Sequence, residues 1–167
     1  MSISKESGMV VEAPVGKYKK NNLKVYIVVC VFFAALFGYD GYFSKYEWSH
    51  RRSFYEKHVK DGRPDDTMRF NQKVPVFLAV AAVALGIRLW TIRNRKLIAD
   101  ENELVVSNKQ KIPYGSIEKI DKTLFKEKGF FIITYKNEKG GEVSLKLSDR
   151  TYDNLAAVLD HLVAKIS

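Results

Sequence analysis

The chain has 167 residues, a formal net charge of +9, a single cysteine and 46% apolar residues. The basic excess is spread out, with +3 in each of residues 1–24, 44–73 and 93–167, so no segment has the concentrated basic stripe of a nucleic-acid footprint. One cysteine excludes an intramolecular disulfide, and no grouping of Cys, His and carboxylates has metal-site spacing, so neither a metal nor a cofactor is expected.

Residues 1–22 read as a flexible N-terminal tail. Leu23–Phe43 (LKVYIVVCVFFAALFGYDGYF) follows, and a helix needs about 20 mostly apolar residues to cross a bilayer core. This stretch is the first expected span, and it ends in Tyr39, Tyr42 and Phe43, aromatics of the kind that sit at headgroup depth. A cleaved signal peptide is the competing reading, but the 22-residue lead-in is long for one and no small-x-small cleavage pattern follows Phe37. Cys30 reads as a small apolar residue within the span.

Residues 44–73 form a polar loop. Residues 44–60 lack helix breakers and carry Trp48, Tyr55 and Val59 with a second edge at Phe54 and His58, which predicts a helix prolonging the span or lying on the membrane surface. Gly62 and Pro64 stop it. His50 and His58 read as members of a solvated helix rather than metal ligands.

The second expected span is Val74–Ile92 (VPVFLAVAAVALGIRLWTI), with Trp90 near its end. Asp40 and Arg88 are the charges inside the spans, and both lie close enough to an end for the side chain to reach the interface. Ala34 with Gly38, and Ala82 with Gly86, place small residues four apart, a spacing that lets helices pack closely. Two spans put both termini on one side; the basic residues flanking them do not decide which side that is.

After residue 92 the pattern changes to short strands. They are expected at Lys96–Asp100, Glu103–Val106, Lys109–Ile112, Ile117–Phe125, Gly129–Tyr135 and Gly141–Ser148. Asn137–Gly141 supplies a turn. Leu155, Val158, Leu159, Leu162 and Ile166 then form one stripe of an amphipathic helix, with Ser148 or Asp149 as its N-cap and His161 off the stripe, exposed. The fold class is α+β: a two-span helical hairpin, then a small antiparallel β domain over 93–167 closed by one C-terminal helix.

Strands closed by one terminal helix, with Lys111-Ile-Pro-Tyr-Gly-Ser-Ile117 leading into a mid-domain strand, resemble the bacterial pleckstrin-homology-like family over about residues 93–166. The resemblance implies a sandwich or partly open barrel of seven strands, where six are counted here. Membrane hairpins before such domains are a familiar arrangement in that family. Beside the resemblance, Pro113 marks an edge or turn, Tyr114 and Ile117 are expected to bury, and Gly115 permits a bend.

The resemblance implies a non-catalytic interaction module, a scaffold or assembly factor at the membrane surface; the alternative is an accessory subunit of a larger membrane complex. No nucleophile–base constellation and no Gly-rich phosphate loop points to an enzyme. In related eukaryotic domains a basic cup on the first hairpin loop binds phosphoinositides. The loop assigned to that place here, Ala99–Glu103, carries three acidic groups, so no specific phosphoinositide binding is expected. Lys119, Lys122, Lys126 and Lys128 are the expected contacts to an acidic lipid surface or partner. The expected partners are membrane lipids and other membrane proteins or a second copy, with no nucleic acid. The expected location is the bacterial inner membrane, with termini and domain in the cytoplasm.

Overall fold

The computed structural model describes residues 10–106 and 110–166. Its elements in chain order are β1 (Val11–Pro14), α1 (Lys17–Gly38) continued by a π turn (Tyr39–Phe43), α2 (Arg52–His58), β2 (Val59–Lys60), β3 (Arg63–Pro64) and α3 (Asp66–Arg93). Then come β4 (Lys96–Ala99), β5 (Glu103–Val106), β6 (Gln110–Pro113), a 3₁₀ turn (Tyr114–Ser116), β7 (Ile117–Asp121), α4 (Phe125–Lys128), β8 (Phe130–Lys136), β9 (Glu142–Ser148) and α5 (Leu155–Ile166). The chain is α+β, with two long apolar helices and antiparallel sheets. Lys109, the first residue of the expected third strand, lies outside the described residues.

The chain divides into two compact units, residues 21–90 and the remainder. In the first, α1 and α3 are long and apolar enough to cross a membrane, and only 6% and 11% of their apolar windows are buried. Their less exposed positions recur at three- and four-residue steps: Leu23, Ile27, Cys30, Ala34, Gly38 and Gly41 on α1, and Met68, Asn71, Pro75, Leu78, Ala82 and Leu85 on α3. That spacing is one helix seam. It is fixed at the loop end, where a Cβ on Gly38 would lie 3.8 Å from the Pro75 ring, and Phe37 packs edge-on to Phe70 at 5.6 Å. Tyr42 Oη donates to the Gln72 carbonyl at 2.6 Å.

Pro75 sits inside α3. It has no N–H, so the Asn71 carbonyl loses the partner it would have in an unbroken helix. Gly41 packs against that carbonyl, and any Cβ there would collide with it. The π turn that carries Gly41 ends at Ser44, whose amide donates back five residues to Tyr39 at 3.1 Å and whose hydroxyl donates to the Asp40 carbonyl.

The loop departs from expectation. Residues 44–51 form turns rather than helix, and only Arg52–His58 is helical, in place of 44–60. The break follows from local hydrogen bonds: Ser44 ends the ladder and Ser49 Oγ accepts from the Arg51 amide at 3.2 Å, a serine competing with the helix for backbone groups. A two-residue turn at Asp61 (φ 51°) and Gly62 (φ 74°) joins β2 to β3, the pair of positive φ values that tight hairpins require.

In the second unit, a four-stranded sheet has the order β1-β4-β5-β6 and a three-stranded sheet the order β7-β8-β9, all antiparallel. The first sheet and α1 correct the reading of residues 1–22 as a tail from Val11 onward, and residues 1–9 of that reading lie outside the described residues. Val11–Pro14 pairs with Lys96–Ala99, Val11 opposite Ala99 and Pro14 opposite Lys96. Both helices of the hairpin therefore lie, along the chain, between two neighbouring strands of one sheet. Ala13 and Val15 point into the core while Glu12 and Pro14 face out. Pro14 is tolerated because β1 is an edge strand.

A clamp from residues 149–154 holds this junction. Gly16 donates to the Thr151 carbonyl at 2.8 Å, Asp153 donates its amide to Pro14 at 2.9 Å, and the Asp153 carboxylate accepts the Lys17 amide at 3.1 Å. Asp153 thereby caps the first turn of α1 from a distant point in sequence. The N-cap expected at Ser148 or Asp149 is not one, because β9 runs through Ser148 and α5 begins at Leu155 after Asn154 in the left-handed region (φ 61°).

The core of this unit comprises Leu97, Leu104, Ile112, Phe131, Ile133 and Leu147 with Leu155, Val158, Leu159 and Leu162 of α5. Leu147 is buried and Leu145 only half-buried. Ile117 is buried and Tyr114 half-buried. Gly115 has φ outside the left-handed region and open space where its Cβ would be, so the bend does not require glycine there.

Candidate functional site

β7 is an edge of its sheet. Its Ile117 and Ile120 form a groove of about 220 Å³ with Val163 and Ile166 of α5. Lys119, Lys122 and Glu118 line the same groove. The pairing of β7 with β8 slips between Ile117 and Lys119, a bulge at Glu118. Bulges re-aim side chains at sheet edges, and Glu118 here meets Lys136 at 2.7 Å, which raises the Lys136 pKa.

The four lysines expected to act together divide. Lys119 and Lys122 line the groove, whereas Lys126 and Lys128 stand on α4, exposed. Asp121 lies between the two sets. Its pKa is lowered first by hydrogen bonds from Thr123, whose amide donates to it at 3.0 Å, and then by Lys119. The resulting edge is mildly basic, with an apolar floor, on a strand that among the described residues is paired along one side only. Strand edges of this kind accept a further extended segment.

The acidic loop between β4 and β5 is held from behind. The Asp100 carbonyl accepts from Tyr114 Oη at 2.6 Å and lies 3.1 Å from His161 Nε2. His161 is half-buried against this loop, not exposed as its place off the stripe suggested. Burial, followed by Asp100 and Glu103, raises the Tyr114 pKa to about 12. Glu103 pairs with Lys111 at 2.6 Å and raises that lysine's pKa. With β1 in the sheet, this loop is not the first strand connection: that place, between β1 and β4, is taken by the helical hairpin.

In the hairpin unit, Ala34 and Gly38 are half-buried and Ala82 is buried. Gly38 lies against Pro75, whereas a Cβ on Gly86 would meet nothing within 4 Å. Gly41, which has no room for a Cβ against the Asn71 carbonyl, is not singled out by the sequence. The nearest signal was its place three residues after Gly38. Asp40 pairs with Arg51 through two hydrogen bonds of 2.8 and 2.9 Å, and this pairing raises the Arg51 pKa. Among the described residues no group of three or more His, Cys, Asp or Glu could hold a metal ion. The chain matches no family model, no curated protein and no solved structure.

Proposed function

We propose that this protein is a membrane-anchored, non-catalytic interaction module whose β7–α5 groove receives an extended, acidic segment of a partner protein. The observation that carries the reading is the place of β7 at the end of its sheet, among the described residues, beside an apolar groove flanked by Lys119 and Lys122. Strand addition would supply main-chain hydrogen bonds, Ile120, Val163 and Ile166 a seat for alternate side chains, and the lysines a preference for acid.

A membrane setting is supported by the exposed apolar surface. Val28, Phe32, Phe77, Val80, Val83 and Ile87 are each more than half exposed, and water-soluble proteins rarely leave apolar patches of that extent uncovered. A pleckstrin-homology-like domain is supported by seven strands in a four-plus-three arrangement with one terminal helix, β1 supplying the strand missing from the sequence count. The expectation of no specific phosphoinositide binding acquires a different reason. The strand connection that would form the basic cup is occupied by the hairpin. We place the domain on the cytoplasmic side of a bacterial inner membrane.

The test is binding of arrayed extended peptides, acidic and neutral, to the full-length protein in detergent. Acidic peptides should bind, and Ile120→Asp and Val163→Asp should each remove the binding while leaving the circular dichroism spectrum unchanged. Equal binding by both variants, or no preference for acidic peptides, would sink the reading.

A further inference from the structure

A second concavity, of about 640 Å³, lies on the first apolar helix and is lined by Phe32, Ala35, Leu36 and Tyr39, with Asp40 and Arg51 also on its wall. Its volume falls in the range of ligand pockets, roughly 300–1,000 Å³. It is apolar except for the ion pair. Asp40 belongs to the π turn that ends the first helix and Arg51 to the turns that follow it, where an apolar span meets the headgroup layer. Asp40 is largely covered, with 18% of its side chain exposed, but the Arg51 side chain is 51% exposed after making both bonds to Asp40. An arginine carries five N–H donors, and two of these bonds leave capacity for a second oxyanion.

The surroundings fit the same depth. Tyr39 stacks on Phe43 at 6.1 Å, Phe43 packs on Tyr46 at 6.4 Å, and Tyr46 stacks on Trp48 at 5.5 Å. Lys45 lies over the Tyr46 ring and Arg52 over Tyr55. This exposed ladder of aromatics and cations has the composition of an interfacial belt.

The geometry points to a phospholipid site: one acyl chain lies along Phe32 and Leu36 in the gap left by Ala35, and the phosphodiester accepts hydrogen bonds from Arg51. Asp40 holds the guanidinium at the rim, so it is a positioning residue. The small side chain of Ala35 provides the concavity, and a larger one would fill it. The inference rests on the membrane reading of α1 and α3.

The experiment uses the full chain, released from membranes in mild detergent, with bound lipid counted by native mass spectrometry as phosphatidylglycerol is added. The wild type should retain one phospholipid at low lipid-to-protein ratio. Ala35→Phe, and Arg51→Gln combined with Asp40→Asn, should each weaken retention about tenfold or more, the scale of a charge-assisted hydrogen bond or of lost apolar contact. Ala84→Leu, an exposed site on the other helix, should bind as the wild type does. Millimolar inorganic phosphate should not displace the lipid. Equal retention by the two groove variants overturns the proposal, as does displacement by phosphate. Loss of a dimer rather than of lipid in Ala35→Phe also overturns it, since a second copy would then be the occupant. Alkaline washing of membranes separates the two readings. Wild type that stays in the pellet while its groove variants keep lipid refutes the site alone; wild type that washes off refutes the membrane reading as well.

Discussion

Gly41 lies so close to Asn71 that a Cβ on it would collide with the Asn71 carbonyl oxygen and come within 2.7 Å of its carbon and 2.9 Å of the Gln72 nitrogen. The obstacle is backbone, which cannot swing aside as a side chain can. Pro75 supplies the other half of this relationship by freeing the same carbonyl from the helix ladder. The crossing therefore depends on a glycine on one helix and a proline on the other, at the loop end where Tyr42 and Gln72 also bond.

Gly41→Ala should destabilise the hairpin by about 1–3 kcal/mol, the usual cost of forcing atoms into a packed site. Gly86→Ala is the control. Nothing lies within 4 Å of its Cβ, and alanine is favoured over glycine in a helix by about 0.5–1 kcal/mol. Thermal melts in detergent should shift down for the first and stay level or rise for the second. A Gly41→Ala transition equal to the wild type would show that the helices part more easily than this geometry allows.

The second prediction concerns acid. Asp65 caps α3 by accepting the Met68 amide at 2.9 Å and meets His58 Nδ1 at 2.7 Å. Its pKa is lowered from the ordinary 3.8, first by the Met68 amide and then by His58. A carboxylate whose folded pKa is depressed stabilises the fold above its unfolded pKa, and that stabilisation is lost as pH falls through the folded value. Asp65→Asn keeps a capping oxygen but cannot titrate. The wild type should be the more stable at pH 6, and the gap should close below about pH 3.8. Melts of both proteins from pH 6 to pH 3 would measure it, and a gap that persists into acid would discount the pair.

Much of the architecture was legible where period and composition agree. The two apolar runs became helices because apolar stretches of that length have few other solutions, and the stripe Leu155, Val158, Leu159, Leu162 became the buried face of α5. The strands from Lys96 to Ser148 emerged close to their expected bounds except the fourth, expected over Ile117–Phe125, which ends at Asp121, with Phe125 opening α4. β1 was missed for a physical reason: Val11, Ala13 and Val15 do alternate, but four residues before a span carry little signal, and their partner strand lies far along the chain, Ala13 opposite Leu97, 84 residues further on, for example. The end of the loop helix failed on serine side chains competing for backbone bonds. Of the candidate site, the lysines were visible as composition, but only the fold shows that Lys119 and Lys122 share a groove with α5 while Lys126 and Lys128 do not. The Asp40–Arg51 pair joins residues that sequence alone reads as one span charge and one loop charge.

Sidedness is the third prediction. β1 precedes the first helix and β4 follows the second, and the two are paired. If the helices cross a bilayer, both segments lie on one face and the loop on the other. With Cys30 replaced by alanine, a cysteine at the exposed Ser144 should react only from the cytoplasmic face, and one at Ser53 only from the opposite face. Labelling of both from the same face would contradict a spanning hairpin.

The last prediction follows from the place of the hairpin in the sheet. The Val15 amide donates to the Arg95 carbonyl at 3.1 Å, so the chain enters and leaves the hairpin at adjacent points of one sheet. A fragment of residues 93–167 lacks β1, and with it the burial of Ala13 and Val15 and one whole ladder of pairs. Full burial of a valine is worth about 1.5–3 kcal/mol, and a backbone hydrogen bond about 1 kcal/mol. Together these are a large share of the about 5–15 kcal/mol that holds a small domain folded. The fragment should therefore unfold at low denaturant or fail to fold. Joining residues 10–16 to 95–167 through a few glycines and serines restores the strand without either helix, and this chain should be soluble and unfold cooperatively. Leu159→Ala in it should cost about 2–5 kcal/mol, because that side chain is 5% exposed on the face of α5 that meets the sheet. Equal stability of the fragment and the joined chain would show that β1 contributes nothing to the fold. Failure of the joined chain alone to fold in water would show that the domain depends on the hairpin itself, and not only on the strand that precedes it.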